Sequence, residues 1–433
     1  MIKNLKMNNV GPACNMELEF GKRLNLLTGD NGLGKSFLLD IAWWALTRKW
    51  PAEINPRLPG GLMAKPYESG KASIEFTFTA NSKSKPVNYL STFDRKAQAW
   101  TGKADRPSNP GLVIYAQVDG SFAVWDPARN YWRKKRNVDV QDRPSAYVFT
   151  PREVWDGLRD EERGLLCNGL VSDWAGWQKE KGQAFKSLSS ILEKISPSID
   201  EKIIPGDLTR ISLDDPRDIP TIKMPYGQSV PILHASAGIR RNIALAYLLV
   251  WSWEEHIKAS NLLEEEPTSQ VVFLIDEIEA HLHPKWQRRI ISSLLGVMDT
   301  LTNKADVQII TSTHSPLVMA SVEPAFDASK DAWFDLDFIR VNKGNPYVEL
   351  NKRSFVRLGD VSNWLTSEAF DLKSARSIEA EKVLKDAAIA LSDETFNANM
   401  AKILDAQLRE LLGETDPFWM RWRFVAEKKG WLS

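Results

Sequence analysis

Four residues near the N-terminus have the types and the spacing of a phosphate-binding loop. Gly29, Gly34, Lys35 and Ser36 occupy every fixed position of the pattern G-x-x-x-x-G-K-[ST], between an apolar strand pattern and a helix pattern. Glycines let successive backbone N–H groups converge on an anion, and the helix that begins near Gly34 adds its positive dipole end. The pattern therefore predicts a triphosphate site in which Lys35 reaches the β- and γ-phosphates and Ser36 holds Mg²⁺. The predicted nucleotide-binding residues of this loop are Asn31, Gly32, Leu33, Gly34, Lys35, Ser36 and Phe37.

A second group of polar residues follows a strongly apolar strand pattern, VVFLIDE. Asp276 and Glu277 lie at its C-terminal end, where carboxylates lose solvation unless a metal or a hydrogen-bond donor meets them. We expect Asp276 to join Ser36 in the Mg²⁺ shell, through water, and Glu277 to polarise the water that attacks the γ-phosphate. A solvated strand end is the alternative.

His314 ends another apolar strand pattern, VQIITSTHSP. Alone, such a histidine is more often a hydrogen-bonded core residue than a functional one. Beside the first two motifs, it is a candidate to contact the γ-phosphate or to hold the attacking water. The predicted catalytic residues are therefore Glu277, His314 and Lys35.

A small polar turn, HASAGIRRN at residues 234–242, opens a strongly apolar helix pattern. Ser236 and Gly238 lie in this turn, which predicts a second anion-binding helix terminus. Because the first loop already supplies one helix terminus to the nucleotide, the second is free to face the phosphate of a neighbouring subunit.

These motifs require a particular set of elements to bring them together. Short strand patterns fill residues 1–28, more strand patterns lie within 73–149, and helical patterns with a charged face fill about 153–195. Apolar strand patterns precede Gly29, Asp276 and His314 and alternate with helix patterns, which is typical of a parallel α/β sheet. From residue 351 onward the pattern is mostly helical, and no heptad repeat is long enough for a coiled coil.

The composition excludes several classes of protein. The 433 residues carry 56 basic and 56 acidic side chains, so nucleic acid would have to bind a local patch. The basic run YWRKKRN at residues 131–137 leaves nucleic acid open as a partner, although most short charge runs are solvated loops. Two distant cysteines predict neither a disulfide framework nor a zinc site and favour the reducing cytoplasm. No apolar run is long enough for a signal peptide or a membrane span.

In their order along the chain, these motifs resemble those of the ABC-type ATPase heads of SMC, RecF and OLD proteins. GDNGLGKS is similar to their Walker A loop, ASAGIRR to their signature, LIDEIEAHLHP to Walker B with the turn after it, and ITSTHSP to their histidine switch. The resemblance covers about residues 1–320 and implies that two heads enclose two ATP molecules. Each ATP would lie between Lys35 of one subunit and Ser236 and Gly238 of the other. Ala237 departs from the glycine of transporter signatures, and Gln117 is left unassigned as the glutamine of the family's Q-loop.

The fold class that the resemblance implies is an α/β P-loop NTPase of ABC-ATPase type. We expect a mixed sheet with a β-rich N-terminal part, a helical lobe between Walker A and the signature, and a helical C-terminal tail. The predicted segments are 1–150, the half of the head with Walker A; 151–230, the helical lobe; 231–350, the half with the signature, Walker B and the switch; and 351–433, the helical C-terminal region.

A compact head with a short helical tail resembles the PtuA-like ATPases of bacterial anti-phage defence. The resemblance implies a homodimer or higher homo-oligomer that binds ATP and Mg²⁺ and switches a separate effector, a nuclease or a toxin, without a membrane. A DNA repair or recombination ATPase of RecF or SMC type is the alternative, and the balanced charge disfavours it. The altered signature and the missing membrane segment count against a transporter subunit. Glu277 counts against a protein that only binds ATP.

Overall fold

The computed structural model describes residues 1–80, 86–102, 109–131, 143–302, 305–340, 346–393 and 395–431. All but the first residue of the predicted basic patch at 131–137 lies outside these ranges. The chain divides into two compact units, Met1–Gly359 and Asp360–Ser433. Within the described ranges, no helix is both long enough and apolar enough to cross a membrane.

The strands all lie in the first unit. They are β1 Ile2–Asn8, β2 Asn15–Glu19, β3 Leu24–Gly29, β4 Ser73–Thr79, β5 Pro86–Asp94, β6 Ala99–Trp100, β7 Leu112–Ala116, β8 Phe122–Trp125, β9 Tyr147–Phe149, β10 Leu158–Asp160, β11 Gly164–Cys167, β12 Ile204–Pro205, β13 Thr221–Lys223, β14 Ser229–Pro231, β15 Gln270–Ile275, β16 Asp306–Ser312, β17 Ala332–Ile339 and β18 Tyr347–Arg353.

The helices occur in both units. They are α1 Lys35–Thr47, α2 Pro51–Ile54, α3 Pro127–Asn130, α4 Pro151–Asp156, α5 Leu170–Glu180, α6 Gln183–Lys194, α7 Ala237–Leu262, α8 Pro284–Gln287, α9 Ile290–Thr302, α10 Pro316–Val322, α11 Val361–Leu365, α12 Ile378–Ser392, α13 Ala398–Leu411 and α14 Phe418–Lys428.

The main sheet has eight strands in the order β18-β17-β3-β16-β15-β7-β8-β9. The five central strands, from β17 to β7, are parallel, whereas β18, β8 and β9 pair antiparallel at the margins. In β15 every residue after Gln270 is buried, as expected for a strand covered on both faces. This mixed α/β architecture confirms the predicted fold class. It also places the C-terminal ends of β3, β16 and β15 side by side.

A second, antiparallel sheet has the strand order β2-β1-β4-β5-β6, which is the β-rich N-terminal part expected from the sequence. Helix α1 contacts both sheets, because it touches β1 as well as β3, β7, β15 and β16. Leu5 and Phe76 of this sheet, Leu39 and Trp43 of α1 and Leu274 of the main sheet belong to one buried apolar cluster. Each fully buried side chain of this size contributes roughly 1.5–3 kcal/mol. The core therefore holds α1, and the loop before it, against the strand ends.

The segment 151–230 contains the helices α4, α5 and α6, but it also contains two small antiparallel sheets. One is the hairpin β10–β11, and the other is formed by β12, β13 and β14. The continuous helical pattern read over 153–195 is therefore wrong at the hairpin. Gly157 ends α4 with a φ of 103°, and Gly164 begins β11 with a φ of 77°, conformations that glycine adopts without a Cβ clash.

The predicted C-terminal region from residue 351 begins inside a strand, since β18 ends at Arg353. The second unit, from Asp360 onward, is helical among its described residues, as expected. Helices α12, α13 and α14 share an apolar core, and Trp422 at its centre is fully buried. The Trp422 indole donates a hydrogen bond of 2.9 Å to Asp405, which satisfies its buried polar atom.

Candidate functional site at the strand ends

The glycine-rich loop joins the buried strand β3 to helix α1. Gly29 ends β3 with a φ of 126°, and a Cβ there would lie 2.4 Å from the carbonyl oxygen of Leu336 in β17. Gly34 has a φ of 102° and is the N-cap of α1, so the loop leads into the positive end of a 13-residue helix. Among the predicted nucleotide-binding residues, Asn31, Gly32 and Ser36 are exposed, Gly34 and Phe37 are partly buried, and Leu33 and Lys35 are buried.

Lys35 lies over the loop that precedes it. Its Nζ donates hydrogen bonds to the carbonyl oxygens of Gly29, at 2.7 Å, and Asp30, at 2.8 Å. Burial lowers the pKa of Lys35, and the negative charges of Glu277 and Asp276 oppose that shift. Because the negative charges of these carboxylates act on its ammonium, Lys35 and the acidic residues after β15 interact electrostatically.

Asp276 follows β15 directly and is 2 % exposed. Its backbone N–H donates to the Ala116 carbonyl of β7 at 2.9 Å, and its Oδ1 accepts a 2.7 Å hydrogen bond from Ser312 Oγ at the end of β16. The same Ser312 Oγ accepts from the Glu277 N–H at 2.7 Å. One serine thus fixes both acidic residues relative to the neighbouring strand.

Glu277 and His314 face each other across two adjacent strand ends. His314 Nε2 lies 3.8 Å from Glu277 Oε1, and their side chains are 28 % and 36 % exposed, respectively. Burial, followed by the charge of Lys35, lowers the pKa of His314, which favours the neutral imidazole at pH 7. Glu277 has a φ of 46°, an uncommon backbone conformation for a residue with a side chain. The strand ends therefore bring together a carboxylate and a neutral histidine that both remain reachable.

Two residues that the sequence did not single out fix this arrangement. Glu279 accepts hydrogen bonds from Thr313 Oγ1, at 2.7 Å, and from the backbone N–H of His314. Arg241 of α7 donates to the Val118 carbonyl at 2.8 Å and to the Asp276 carbonyl at 3.1 Å. Glu279 lies inside the quoted LIDEIEAHLHP, and Arg241 is the partly buried member of the pair Arg240 and Arg241, but only the fold shows what each contacts.

The turn at the start of α7 has the predicted shape. Ser236 is the N-cap, exposed, and its Oγ accepts a 3.5 Å hydrogen bond from the Ile239 N–H. Gly238 is buried, and a Cβ there would lie 2.6 Å from the carbonyl oxygen of His281. Close backbone packing is thus one reason for glycine at 238. Among the described residues, no hydrogen bond joins Ser236 or Gly238 to the loop at 29–35.

Gln117 directly follows β7, which pairs with β15. The residue before it, Ala116, accepts the hydrogen bond from the Asp276 N–H, so Gln117 begins the chain segment beside Asp276. Gln117 is 6 % exposed. The sequence left Gln117 without a role, and its position beside Asp276 follows from the pairing of β7 with β15, which spans more than 150 residues.

The oxygen donors around Ser36 and Asp276 suit Mg²⁺, which prefers carboxylate and hydroxyl oxygens and keeps several waters or phosphate oxygens. Burial raises the pKa of nearby Asp40 to about 7, the Tyr115 hydrogen bond opposes this shift and the negative charge of Asp276 adds to it. A divalent cation would relieve that repulsion between carboxylates. In the described part of the chain, no group of three or more His, Cys, Asp or Glu side chains could hold a metal alone. These residues therefore fit a magnesium ion that arrives with a phosphate ligand.

The family model AAA_21, described as "AAA domain, putative AbiEii toxin, Type IV TA system", matches residues 24–320. The chain belongs to the AAA_21 family. The matched range contains the glycine-rich loop and the start of α7. It also contains the two acidic residues after β15 and the histidine after β16. The AAA_21 match and the parallel sheet centre together confirm the expected P-loop ATPase class.

Curated relatives of this AAA_21 protein include a Septu protein and two retron proteins named as probable ATPases. The chain is 21 % identical to "Septu protein PtuA" of Bacillus thuringiensis over 73 % of its own length and 72 % of the relative. It is 34 % identical to "Retron Vc95 probable ATPase" of Vibrio cholerae and 28 % identical to "Retron Ec83 probable ATPase" of Escherichia coli. Each retron match covers 37 % of this chain and only 29 % and 26 % of the relatives. The predicted homology to PtuA-like ATPases is confirmed.

Solved structures that resemble this AAA_21 protein include heads of SMC proteins. An SMC head domain from Thermotoga maritima covers 80 % of this chain and 98 % of its own, with 14 % identity and a TM-score of 0.36. An Smc head bound to a domain of ScpA covers 81 % of this chain and 97 % of its own, with 16 % identity and a TM-score of 0.40.

Proposed function

We propose that this protein is a Mg²⁺-dependent ATP hydrolase. One observation carries the proposal: Lys35, Asp276, Glu277 and His314 converge at the C-terminal ends of three neighbouring parallel strands, β3, β15 and β16. Open parallel sheets bind ligands at this edge. A lysine that binds phosphate, an acid that holds the metal and a second group that orients the attacking water are the parts that phosphoryl transfer to water uses.

Each residue has a role that follows from its surroundings. Lys35 exchanges the Gly29 and Asp30 carbonyls for β- and γ-phosphate oxygens, while the loop backbone and the start of α1 bind the same phosphates. Ser36 and Asp276 would hold Mg²⁺, which neutralises charge that develops on the phosphates. Glu277 orients the attacking water and accepts its proton, and His314 donates a hydrogen bond to the γ-phosphate or accepts one from the attacking water. Gln117 joins this group from the end of β7.

The ATP sites are composite in this proposal. Ser236 and Gly238 of one subunit cap the γ-phosphate bound to Lys35 of the other, so that two heads close on two ATP molecules. Support comes from Ser236, which is exposed at the start of the 26-residue helix α7. Residues 1–150 and 231–350 form the two halves of the head, 151–230 the lobe and 351–433 the C-terminal region.

The biological role we propose is an ATP-driven switch in bacterial anti-phage defence. ATP binding and hydrolysis shift the head between two states, and a separate effector, a nuclease or a toxin, responds to that shift. The names of the relatives, a Septu protein and two retron ATPases, support this role, as does a family description that mentions a toxin.

The test of the hydrolase is phosphate release from ATP with and without Mg²⁺. Lys35→Ala should lower kcat/KM at least ~10²-fold, because it removes a charge that stabilises the transition state. Lys6→Ala is the matched control, since the Lys6 side chain makes an exposed ion pair with Glu17 and belongs to a different sheet from the strand ends that carry the site. If Lys35→Ala hydrolyses ATP as fast as Lys6→Ala does, the proposed site is wrong.

The test of the defence role is phage plating on cells that carry this gene with its neighbouring reading frame. Protection that is lost in Lys35→Ala supports an ATP-driven switch. Equal plating with and without the intact pair contradicts the defence role and leaves the hydrolase to be judged by its own assay.

A further inference from the structure

The side chain of Arg241 reaches from helix α7 to the ends of two neighbouring strands of the main sheet. Its Nη1 donates to the carbonyl oxygens of Val118, at 2.8 Å, and Gln117, at 3.4 Å, just after β7. Its Nη2 donates to the carbonyl oxygens of Asp276, at 3.1 Å, and Glu277, at 3.5 Å, just after β15. Strands β7 and β15 pair in parallel. One planar guanidinium therefore connects two adjacent strand ends, which the fixed fork of arginine donors allows.

The positive charge of Arg241 holds main-chain groups. In the part of the chain that the structure describes, its side chain makes hydrogen bonds to backbone carbonyl oxygens alone. Burial lowers the pKa of Arg241, and that shift is opposed by the negative charges of Asp276, Glu277, Asp119 and Glu279. Hydrogen bonds from a charged donor are stronger than those between neutral groups, so these contacts hold the two strand ends firmly.

The contact with the Asp276 carbonyl completes a clamp on one peptide group. The peptide group between Asp276 and Glu277 consists of that carbonyl and the Glu277 N–H. Arg241 Nη2 donates to the carbonyl at 3.1 Å, and Ser312 Oγ accepts from the N–H at 2.7 Å. Because a peptide group is planar, holding both of its ends fixes its orientation. The φ angle of Glu277, which describes the rotation that follows this peptide group, therefore depends on Arg241 and Ser312.

Glu277 needs such a clamp, since its backbone lies in the left-handed region. Its φ is 46°, and this conformation costs free energy for a residue with a Cβ. If the peptide group before it turned over, Glu277 would relax to a negative φ and its Cα–Cβ bond would point in another direction. In the present conformation, its carboxylate lies 3.8 Å from His314 Nε2. The left-handed φ is therefore part of what brings the carboxylate to the histidine.

We propose that Arg241 is a positioning residue for ATP hydrolysis: by holding the Asp276 carbonyl, it keeps Glu277 in the conformation in which its carboxylate orients the attacking water. This inference rests on the proposed function, because it assigns a role in the same reaction. Arg241 acts through Glu277, so it matters for the cleavage of bound ATP, and misplacing a catalytic group by about 1 Å can cost ~10²-fold in rate. ATP binding does not depend on Arg241, because its side chain hydrogen-bonds to none of the described loop residues at 29–36.

The experiment compares ATP binding with single-turnover cleavage of radiolabelled ATP by the full chain at saturating Mg²⁺. Arg241→Lys keeps the positive charge but cannot span both strand ends, so we expect cleavage to slow at least ~10-fold while the affinity for ATP stays the same.

Arg23→Lys is the matched control for the loss of a partly buried arginine fork. Arg23 precedes β3, at the end of the strand opposite to Gly29, and its Nη2 donates to the Ala325 carbonyl at 2.6 Å. This substitution should lower the free energy of unfolding and leave the rate of cleavage unchanged.

A double substitution tests whether Arg241 acts through Glu277. Glu277→Gln should cleave ATP slowly, because it lacks the group that accepts the proton from water. Adding Arg241→Lys to Glu277→Gln should slow this residual cleavage little further, because the carboxylate that Arg241 positions is already gone. If the two residues had independent roles, the two rate effects would multiply.

The outcomes separate this inference from the proposed function. If the wild-type protein does not cleave ATP, the proposed function fails and the inference fails with it. If the wild type cleaves ATP and Arg241→Lys cleaves it at the same rate, the inference alone is overturned. Equal loss of cleavage in Arg23→Lys, or effects of Arg241→Lys and Glu277→Gln that multiply, would also overturn it. If Arg241→Lys fails to fold, Arg241→Gln takes its place, since glutamine cannot span both strand ends either.

Discussion

His314 Nε2 lies 3.8 Å from Glu277 Oε1, although 36 residues separate the two in sequence. Parallel pairing of β15 with β16 brings them together, and Ser312 fixes the offset through its bonds to Asp276 and the Glu277 N–H. A water between a carboxylate and a neutral imidazole could be oriented by both. In the proposed function, this pair is the part of the site that acts in hydrolysis rather than in ATP binding.

The pH dependence of hydrolysis should report the His314 imidazole. Burial and the charge of Lys35 lower the pKa of His314 below its ordinary 6.5, so the neutral form persists to more acidic pH. We expect kcat at saturating ATP to be constant around pH 7 and to fall as the pH decreases through that lowered pKa. His314→Asn should have a lower plateau and no acid limb from this group. An unchanged acid limb in His314→Asn would assign the titration to another residue.

Glu279 should affect turnover more than binding. Glu279→Ala leaves the Thr313 hydroxyl and the His314 N–H without their acceptor, at a cost of about 1–3 kcal/mol for each buried group. Because His314 loses its fixed position, we expect kcat to fall ~10-fold or more while KM for ATP changes little.

Glu323 provides the matched control for Glu279. Glu323 is a buried glutamate that, like Glu279, accepts a backbone N–H; its donors are Leu358, at 2.8 Å, and Gly359, at 3.1 Å. Glu323→Ala should lose comparable stability in thermal unfolding and keep its kcat. Equal effects of the two substitutions on kcat would show that Glu279 acts only through stability.

Asp335 should make folding stability depend on pH. It is fully buried in β17, where it accepts a hydrogen bond from Thr28, the residue before Gly29. Burial raises the pKa of Asp335 to about 7. The folded state therefore retains a proton that the unfolded state releases near pH 4, so this contribution is full at acidic pH and is lost as the pH rises to about 7.

The measurement for Asp335 is chemical denaturation of the wild type and Asp335→Asn from pH 4 to 8. Asparagine keeps the acceptor for Thr28 and cannot ionise. The stability of the wild type relative to Asp335→Asn should decrease with rising pH and level off above about 7. A difference that is constant, or that increases with pH, would contradict the assignment.

The sequence predicted those parts of the site whose conformation depends on residues close to one another in the chain. The loop from Gly29 to Ser36 and the acids after β15 were visible because glycine conformation, helix start and strand burial are all encoded within a few residues. Gln117, Arg241 and Glu279 were missed because their roles depend on which strands pair and which helix packs beside them. The hairpin at 158–167 was read as helix because its charged residues fit both patterns, and only the positive φ of Gly157 and Gly164 decides between them.

In the second unit, too, the sequence predicted the type of element but not the contacts between elements. Its helical character follows from the residue pattern, and the buried Trp422–Asp405 hydrogen bond could not be inferred from it. Spacing alone places 405 and 422 on separate helices, and their contact is a property of how α13 and α14 pack.

The central claim is that two copies of the chain share each ATP, and Glu277→Gln tests it most directly. This substitution keeps the shape of the site and removes the group that accepts the proton from water, so ATP should be bound but not cleaved. We predict that Glu277→Gln with ATP and Mg²⁺ sediments as a dimer, and that adding Ser236→Arg to it restores the monomer without abolishing ATP binding. A Glu277→Gln protein that binds ATP and remains a monomer would contradict the composite site.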